Sequence, residues 1–430
     1  MIQITEYGKG GADMPLKRLK RGESDNAKVQ TAVNEIVNAV RAEGDQAVLR
    51  YTDRFDHARL TPETLRVSDE EIWNAAESVP KDFSEVLKRS YDRIMAFHIK
   101  QKSQSWFETS PNGEILGQLV RPVACCGVYV PGGKAAYPSS VLMNLAPAKA
   151  AGVKRIVMVT PPGSNGKATA VTLAAALTAG VTEIYKVGGA QAVAALAYGT
   201  ETIPKVDKIT GPGNIYVQLA KKSVFGEVGV DSIAGPSEVL VLADSGARPE
   251  FVAADMLSQA EHDEMAAAIL VTDSRKLAER TALELERQKS LLSRRDIIEK
   301  SLADYGEIII TDNLRQGAEL VNRIAPEHLE LAVAEPFALL PYIQNAGSIF
   351  LGHYSPEPLG DYMAGPNHVL PTGGTARFFS ALSVDDFVKK SGVISFSKEA
   401  LAALADDIIL FADAEGFTAH AGAVKIRGEK

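Results

Sequence analysis

Short apolar runs alternate with helix-patterned segments through most of the chain, and this alternation limits the fold more than any other feature. A first series follows the apolar stretch that begins at Gln118, and its strands and helices alternate at 155–160, 166–179, 183–187, 191–198 and 208–210. Apolar strands joined by helical crossovers form parallel sheets with right-handed connections. The alternation predicts an α/β protein with a domain boundary near Gln118.

A second series repeats the same order further along the chain. Its predicted strands and helices alternate at 238–243, 249–262, 267–272, 274–292, 307–311, 313–324 and 347–351. The similarity of the two series suggests duplication, although no fixed-period repeat accompanies it. Outside the two series, helical periodicity predicts helices at 27–44, where Asp25 is placed to cap the start, at 82–100 and at 399–411. The polar residues 1–24 are predicted to form an arm.

Length and charge limit the class of protein. A chain of 430 residues exceeds the size of one hydrophobic core, so two or more domains are expected. The net charge of −8 argues against binding to nucleic acid or to a membrane surface, and the basic run Lys17–Arg21 is interpreted as a solvated arm. No apolar run reaches the roughly 20 residues of a membrane span. A cytoplasmic protein is expected, with Cys125 and Cys126 as buried free thiols.

Three glycine-bearing turns follow predicted strands of the first series: Tyr129-Val-Pro-Gly-Gly133, Gly188-Gly-Ala-Gln191 and Gly211-Pro-Gly-Asn-Ile-Tyr216. Each alone is most simply a turn. Together they indicate a crevice for phosphate or cofactor, because helix amino termini at such strand ends present free amides. The Gly-x-Gly-x-x-Gly dinucleotide fingerprint follows none of the predicted strands. Gly235-Pro-Ser-Glu238 begins the second series in a similar way, so Ser237 is a candidate for the same cleft.

A metal site is suggested by residues of the second series. Gln259 and His262 are three apart on a predicted helix and would project from one face. Asp361 and His420 are candidate further ligands, although a single histidine is more often structural. Mixed oxygen and nitrogen ligands suit zinc, and manganese or iron remain open on ligand type alone.

Glu327 and His328 are the best acid–base candidates in the sequence. They follow Pro326 on a predicted turn, where both side chains could reach one pocket. A solvated Glu-His pair is the simpler alternative.

Seven segments, taken in order, resemble the histidinol dehydrogenase family over nearly the whole chain. They are Tyr-Val-Pro-Gly-Gly from Tyr129, Gly-Pro-Gly-Asn from Gly211, Gly-Pro-Ser-Glu from Gly235, Ser-Gln-Ala-Glu-His-Asp from Ser258, Ala-Pro-Glu-His-Leu-Glu from Ala325, Gly-Pro-Asn-His-Val-Leu-Pro-Thr from Gly365 and Glu-Gly-Phe-Thr-Ala-His from Glu415. The resemblance implies an NAD-linked enzyme with one zinc ion per subunit. Its expected reaction oxidises L-histidinol through L-histidinal to L-histidine, the last step of histidine biosynthesis.

The resemblance also implies roles for individual residues. Glu327 and His328 would be the catalytic pair, with Glu327 activating water and His328 acting as the base of the hydride steps. Zinc would orient the substrate rather than take part in hydride transfer. The implied metal ligands are Gln259, His262, Asp361 and His420; the substrate contacts are those four with Ser237, His328, His368 and Glu415; the NAD contacts are Tyr129, Gln191 and Asn214.

The fold implied by the resemblance is two incomplete Rossmann-like parallel-sheet domains with small N- and C-terminal domains. The expected limits are an N-terminal arm at 1–25, a metal and substrate domain at 26–128 with 237–381, an NAD domain at 129–236 and a C-terminal tail domain at 382–430. The tails would exchange in a homodimer, so either subunit could supply His420.

Two rival functions are open on the sequence. One is a related zinc and NAD dehydrogenase acting on another small alcohol, such as a sulfonated diol. His368 and Glu415 argue against it, because they suit a substrate with an imidazole and a cationic amine. The other rival is a metal-stabilised binding protein without turnover, for which Glu327→Gln would change nothing.

Overall fold

The structure is a computed structural model that describes residues 2–8, 26–132 and 136–428. The chain forms two compact units. The first unit comprises residues 1–101 and 124–387, and the second comprises 102–123 and 388–430. The finer domain limits expected from the sequence remain a prediction.

The strands of the described residues form three sheets. In chain order they are β1 (Gln3–Glu6), β2 (Trp106–Thr109), β3 (Glu114–Pro122), β4 (Cys125–Tyr129), β5 (Arg155–Thr160), β6 (Ile184–Lys186), β7 (Lys208–Thr210), β8 (Gly229–Val230), β9 (Glu238–Ala243), β10 (Ala267–Thr272), β11 (Glu307–Ile310), β12 (His328–Ala332), β13 (Ser348–Leu351) and β14 (Val388–Phe396). The first unit contains a five-stranded and a six-stranded sheet, both parallel throughout.

The two parallel sheets share one strand order. The five-stranded sheet runs β6-β5-β4-β7-β8, and the six-stranded sheet runs β1-β11-β10-β9-β12-β13. Numbered from the first strand of each series, both contain the order 3-2-1-4-5, which is the doubly wound Rossmann order without its sixth strand. The structure therefore confirms the predicted fold class of two incomplete Rossmann-like sheets.

The described residues form seventeen α-helices over the two units, and those of the first unit cover the faces of its two parallel sheets. They are α1 (Asn26–Glu43), α2 (Asp45–Asp56), α3 (Pro62–Leu65), α4 (Asp69–Ser78), α5 (Lys81–Ile99), α6 (Pro138–Ala151), α7 (Ala170–Thr178), α8 (Gly189–Tyr198), α9 (Ile215–Val224), α10 (Pro249–Ala260), α11 (Arg275–Lys289), α12 (Arg295–Tyr305), α13 (Leu314–Ile324), α14 (Pro336–Leu339), α15 (Glu357–Tyr362), α16 (Lys398–Ala414) and α17 (Thr418–Gly428). In the six-stranded sheet Val239 and Val241 join the core on one face, and Leu240 and Leu242 join the core on the other. Burial on both faces explains why these strands are continuous apolar runs in the sequence.

The second unit is built around an antiparallel sheet. Its three strands run β14-β3-β2. Helices α16 and α17 complete the unit and carry two of the candidate site residues, Glu415 and His420.

Most of the predicted strands have the observed limits. The predictions for 155–160, 208–210, 238–243 and 267–272 are confirmed residue for residue. Cys125 and Cys126 are free thiols on β4, as expected, but only Cys126 is buried, and Cys125 is half-buried. Burial raises the pKa of the Cys125 thiol to about 11. No helix of the described residues has both the length and the apolar character needed to cross a membrane.

Several local predictions differ from the structure, among them the helix expected at 166–179, which spans Ala170–Thr178. Three others concern His262, His328 and residues 3–6. The helix expected to reach His262 ends at Ala260, so His262 lies in the turn that follows it. His328 does not lie on a turn but begins β12, because its backbone pairs with both β9 and β13. Residues 3–6, expected in an arm, form the edge strand β1 beside β11. Asp25, Gly133 and the run Lys17–Arg21 lie outside the described residues.

Candidate functional site

Two neighbouring strands of the six-stranded sheet, β9 and β12, bring Glu327 and His328 beside Glu238. Glu238 begins β9, and His328 begins the neighbouring parallel strand β12. Glu327 precedes the strand and accepts a hydrogen bond from the backbone N–H of Glu238 at 2.9 Å. The side chains of Glu327 and His328 therefore both bind the backbone of Glu238, at the amino ends of β9 and β12.

His328 is held as a neutral base. Its Nδ1 lies 3.1 Å from the carbonyl oxygen of Glu238, and a carbonyl only accepts, so Nδ1 carries the proton. The remaining nitrogen, Nε2, is buried and has no hydrogen-bond partner among the described residues. Burial lowers the pKa of His328 to about 4. A neutral imidazole with an unengaged nitrogen can accept a proton from a substrate hydroxyl.

Glu327 lies in the same buried space. Its Oε2 is 3.7 Å from Nδ1 of His328. Because His328 is neutral, the contact is not an ion pair. Burial, reinforced by the nearby carboxyls of Glu238, Asp361 and Glu357, raises the pKa of Glu327 well above its usual value. Positive charge brought into this space would favour the ionised form.

Helix α15 and the segment after it supply further polar groups to this space. Nδ1 of His368 lies 3.2 Å from Oδ1 of Asp361. Burial alone would raise the pKa of Asp361, but the hydrogen bond and charge of His368, with smaller contributions from His328 and His262, lower it to about 2. His328, Asp361, His368 and Phe350 are among the residues that line a cavity of about 180 Å³. The cavity therefore joins a carboxylate and two imidazoles.

Gln259 and His262 lie at the end of α10 and the turn after it. Gln259 is 1% exposed, and its Oε1 has no hydrogen-bond partner within the described part of the chain. Nδ1 of His262 lies 3.0 Å from the carbonyl oxygen of Ser258, so Nε2 is the ring nitrogen that could bind a ligand. Backbone fixation of one ring nitrogen is common for metal-binding histidines.

Several buried carboxyls near the site were not identified from the sequence. Glu357 is 1% exposed, and its Oε1 lies 3.8 Å from Nε2 of His328. Burial and the neighbouring Asp361 raise the pKa of Glu357 to about 9. His328, Glu357 and Asp361 together could also hold a metal ion. Pro356 before Glu357 indicates a helix start, but no sequence signal indicated that the carboxyl would point into the core.

The carboxyl groups of Glu330 and Asp255 contact each other next to Glu357. Glu330 accepts a hydrogen bond from the backbone N–H of Glu357 at 2.8 Å. Burial, and then the charge of Asp255, raise the pKa of Glu330 well above its usual value. The hydrogen bond from the Glu357 N–H to Glu330 holds the first turn of α15 in place.

The candidate dinucleotide contacts lie at the carboxyl ends of the five-stranded sheet. Tyr129 ends β4, and its hydroxyl accepts a hydrogen bond from the N–H of Gly189 at 3.1 Å. Gln191 is 1% exposed on α8, and neither atom of its amide has a partner among the residues described. Asn214 caps α9 by accepting from the N–H groups of Tyr216 and Val217 at 3.0 and 3.2 Å.

The other candidates are distributed between the two units. Ser237 is half-buried directly before Glu238. Glu415 and His420 belong to the second unit, where they line a cavity of about 390 Å³ with apolar side chains such as Phe411 and Phe417. The first unit thus brings together Ser237 and the histidine and carboxyl candidates of the second series, and the second unit holds Glu415 and His420 close to each other.

The fold and the site define a class of protein. Two Rossmann-like sheets, a buried neutral imidazole beside carboxyls and a polar cavity make this an α/β enzyme for a small-molecule substrate. A sequence model of the family described as histidinol dehydrogenase matches residues 19–428. The chain belongs to the histidinol dehydrogenase family, which consists of oxidoreductases of histidine biosynthesis.

Individual relatives agree with this assignment. The chain is 54% identical to a histidinol dehydrogenase of Geobacillus kaustophilus, over 97% of this chain and 100% of the relative. It is 55% identical to one of Caldanaerobacter subterraneus, over 99% of each. The crystal structure of histidinol dehydrogenase from Elizabethkingia anophelis superposes with a TM-score of 0.94 at 37% identity, covering 99% of this chain and 98% of that one.

Proposed function

We propose that this protein oxidises L-histidinol through L-histidinal to L-histidine with NAD as the oxidant and a zinc ion at the substrate site. The observation that carries the proposal is the buried neutral His328, with an unengaged Nε2, next to Glu327 at the edge of a polar cavity. Four-electron oxidation of an alcohol requires a base for each hydride step and a group that activates water between them. These two residues supply both functions.

The residues present fit a zinc ion. Gln259 offers an unsatisfied buried oxygen, His262 offers Nε2, and Asp361 offers a carboxylate whose pKa is about 2. Oxygen and imidazole nitrogen are ordinary zinc ligands. His420 would complete the set from the second unit of the same or of a partner chain. Bound zinc would orient the imidazole and amine of the substrate and favour ionised carboxyls nearby.

The first oxidation uses His328 as the base. Its Nε2 takes the proton of the substrate hydroxyl, while Nδ1–H stays bonded to the Glu238 carbonyl and fixes the ring. Bound NAD supplies the hydride acceptor for both oxidations. Because the imidazole is neutral before the reaction, it needs no prior loss of a proton.

The second oxidation requires water to add to the aldehyde. Glu327 is the residue proposed to take the proton of that water, and its bond to the Glu238 N–H holds one carboxyl oxygen in place. Burial raises the pKa of Glu327, so the carboxylate depends on positive charge from the substrate ammonium and the metal site. As water adds, the protonated His328 returns its proton from Nε2 to the aldehyde oxygen and becomes neutral again. It can then accept the hydroxyl proton of the hydrate in the second hydride step.

We propose that Ser237 and His368 bind the substrate from the first unit, together with His328 and the metal ligands. Glu415 would bind it from the second unit. A carboxylate suits the substrate ammonium, and an imidazole can hydrogen-bond to the imidazole of histidinol.

NAD is proposed to lie over the carboxyl ends of the five-stranded sheet. The unsatisfied amide of Gln191 is the main support, since a buried amide without partners is unfavourable unless a ligand binds it. Tyr129 and Asn214 border the neighbouring turns. Helix amino termini at Gly189 and Ile215 suit the pyrophosphate.

We also propose a cytoplasmic homodimer with the domain limits expected from the sequence. The second unit exposes large apolar side chains, including Leu410 at 71% and Phe411 at 69%. A contiguous apolar surface of this kind is typical of a subunit interface. Exchange of the tails would explain why His420 lies on it.

The test is the amount of NADH formed per L-histidinol consumed by the purified protein, with L-histidine measured in the same samples. We expect two NADH and one L-histidine, with both lost on chelation and restored by zinc. No NADH from histidinol would overturn the proposal, and a panel of small diols would then test the related-dehydrogenase alternative. Unchanged behaviour of Glu327→Gln would indicate a binding protein without turnover.

A further inference from the structure

A buried ion pair lies beneath the Gly211-Pro-Gly-Asn214 turn. The side chains of Lys221 on α9 and Asp231 after β8 form a salt bridge and are 4% and 5% exposed. Taking two charges out of water is unfavourable unless further hydrogen bonds satisfy them. The partners that satisfy this pair therefore indicate what it is for.

Both backbone groups of one glycine are bound by this pair. Lys221 Nζ donates to the carbonyl oxygen of Gly211 at 2.9 Å, and Asp231 Oδ2 accepts from the N–H of Gly211 at 2.8 Å. The same carboxylate accepts from the N–H of Ser232 through Oδ1 at 2.7 Å. The ion pair thus clamps the first residue of the turn from both sides.

Gly211 is a position at which the turn has little freedom. Its φ of +116° lies in a region that side chains rarely adopt, and a Cβ there would lie 2.0 Å from the carbonyl oxygen of Tyr129. The hydroxyl of Tyr129 in turn binds the N–H of Gly189 in the neighbouring turn. A displacement of Gly211 would therefore be transmitted to two of the three turns at this edge of the sheet.

We propose that the Lys221–Asp231 ion pair is the positioning pair of the dinucleotide crevice, holding Gly211 so that the turns of Tyr129, Gly189 and Asn214 fit NAD. The inference rests on the proposed function for the identity of the ligand. Neither residue is assigned contact with NAD, so both act through the turn. The pair also holds Ser232, the start of the segment that leads to Ser237, and so fixes where the chain leaves the five-stranded sheet.

The first variant is Lys221→Met, which keeps the length of the side chain and removes its charge and donor. We expect the dissociation constant of NAD, measured by calorimetry on the zinc-loaded protein, to rise at least about tenfold, since small displacements of a binding turn have large effects. The KM for NAD should rise in parallel, with kcat within about threefold and zinc content unchanged. An NAD dissociation constant equal to that of the wild type would overturn the proposal.

A double variant separates positioning from stability. A single change leaves an unpaired buried charge and strongly destabilises the fold, whereas Lys221→Met with Asp231→Asn removes both charges. We expect the double variant to unfold at a higher temperature than either single variant, yet to keep weak NAD binding because the donor to Gly211 is still missing. Recovery of NAD affinity together with stability would show that the pair acts through stability alone, and would refute the inference.

Lys149→Met is the matched control. Lys149 Nζ also donates to a glycine carbonyl, that of Gly180, at 2.9 Å, but it does so after α7, away from the crevice. The NAD dissociation constant of Lys149→Met should match that of the wild type. A loss of NAD affinity as large as that of Lys221→Met would contradict the proposal. Measuring NAD binding directly separates the positioning role of the ion pair from the proposed function. Wild-type protein that binds NAD without oxidising histidinol would refute the proposed function, but the effect of Lys221→Met on NAD binding could still be tested.

Discussion

The two parallel sheets share a strand order but place their candidate sites at opposite ends. In the five-stranded sheet, Tyr129 and Gly211 lie at the carboxyl ends of the central strands β4 and β7. In the six-stranded sheet, Glu238 and His328 lie at the amino ends of the corresponding strands β9 and β12. Open α/β sheets usually bind ligands at their carboxyl ends. Only the first sheet follows that rule.

The residues that follow the strands account for the difference. The carboxyl ends of β4 and β7 lead into uncharged turns rich in glycine. Those of β9, β10 and β11 lead to Asp244, Asp273 and Asp312. Asp244 also accepts a hydrogen bond from the N–H of Ala334 at 2.7 Å, which joins the segments after β9 and β12. Carboxylates repel phosphates, so we expect the dinucleotide at the glycine-rich turns and not at the acidic ones.

The largest expected effect tests the metal at the amino ends of the six-stranded sheet. Replacing a residue that only supports a ligand lowers metal affinity 10–100-fold, so His262→Asn should lower zinc affinity by more than about 100-fold. Turnover of histidinol should fall with zinc content, while the dissociation constant of NAD stays unchanged. Metal analysis and calorimetry measure both, with His353→Asn as control. Full zinc content with normal turnover would show that the ligand set is misassigned.

Glu327→Gln tests the chemistry at the same end of the sheet. Glutamine keeps an acceptor for the Glu238 N–H but cannot take a proton from water. Oxidation of histidinal should fall by about 10²–10⁴, with zinc and NAD binding unchanged. The exposed Glu335→Gln is the matched control. Wild-type rates of histidinal oxidation in Glu327→Gln would remove Glu327 from the mechanism.

A dependence of folding stability on pH is expected at the six-stranded sheet, because His328 is buried there. The pKa of His328 is lowered to about 4 in the folded protein, so between pH 6.5 and 4 the unfolded chain binds a proton that the folded chain does not. Folding stability therefore decreases as pH falls through this window. Between pH 8 and 5 the metal-free wild type should lose roughly 2 kcal/mol more than His328→Asn. Parallel urea titrations measure the difference, and equal losses would show that His328 is not buried and neutral.

Gln191→Ala tests NAD binding at the five-stranded sheet, and its expected effect is the smallest of the four. Loss of one hydrogen-bonding side chain should raise the KM for NAD about five- to tenfold, with kcat and zinc content nearly unchanged. Gln288→Ala, on α11 beside the six-stranded sheet, serves as control. A loss of zinc rather than of NAD affinity in Gln191→Ala would break the assignment of separate roles to the two sheets.

The sequence predicted the sheets well because their strands are buried on both faces. Continuous apolar runs such as 238–243 and 267–272 are stable only inside the core. Their limits could therefore be predicted from the sequence of apolar residues alone. The residues 3–6 were missed as a strand because β1 is a short, partly exposed edge. Helix α10 was drawn two residues too long, since Glu261 and His262 continue the helical pattern of polar and apolar residues beyond its end.

The site was predicted only in part, for a physical reason. Glu327 and His328 could be picked out as a chemical pair, but their contacts with the backbone of Glu238 depend on the register between β9 and β12. Glu357 and Glu330 were not identified, because burial of a carboxyl is a tertiary property that local sequence does not encode. The sequence rule for α/β sheets would also have placed both sites at carboxyl ends.

The most direct test of the account is a crystal structure of the zinc-loaded protein with NAD. We expect the dinucleotide over the carboxyl ends of β4 and β7, with its pyrophosphate at the amino termini of α8 and α9. We expect zinc in contact with Gln259, His262 and Asp361, on the amino side of β9 and β12. A dinucleotide bound at the Asp244 end of the six-stranded sheet, or zinc away from these three residues, would contradict the division of roles between the two sheets.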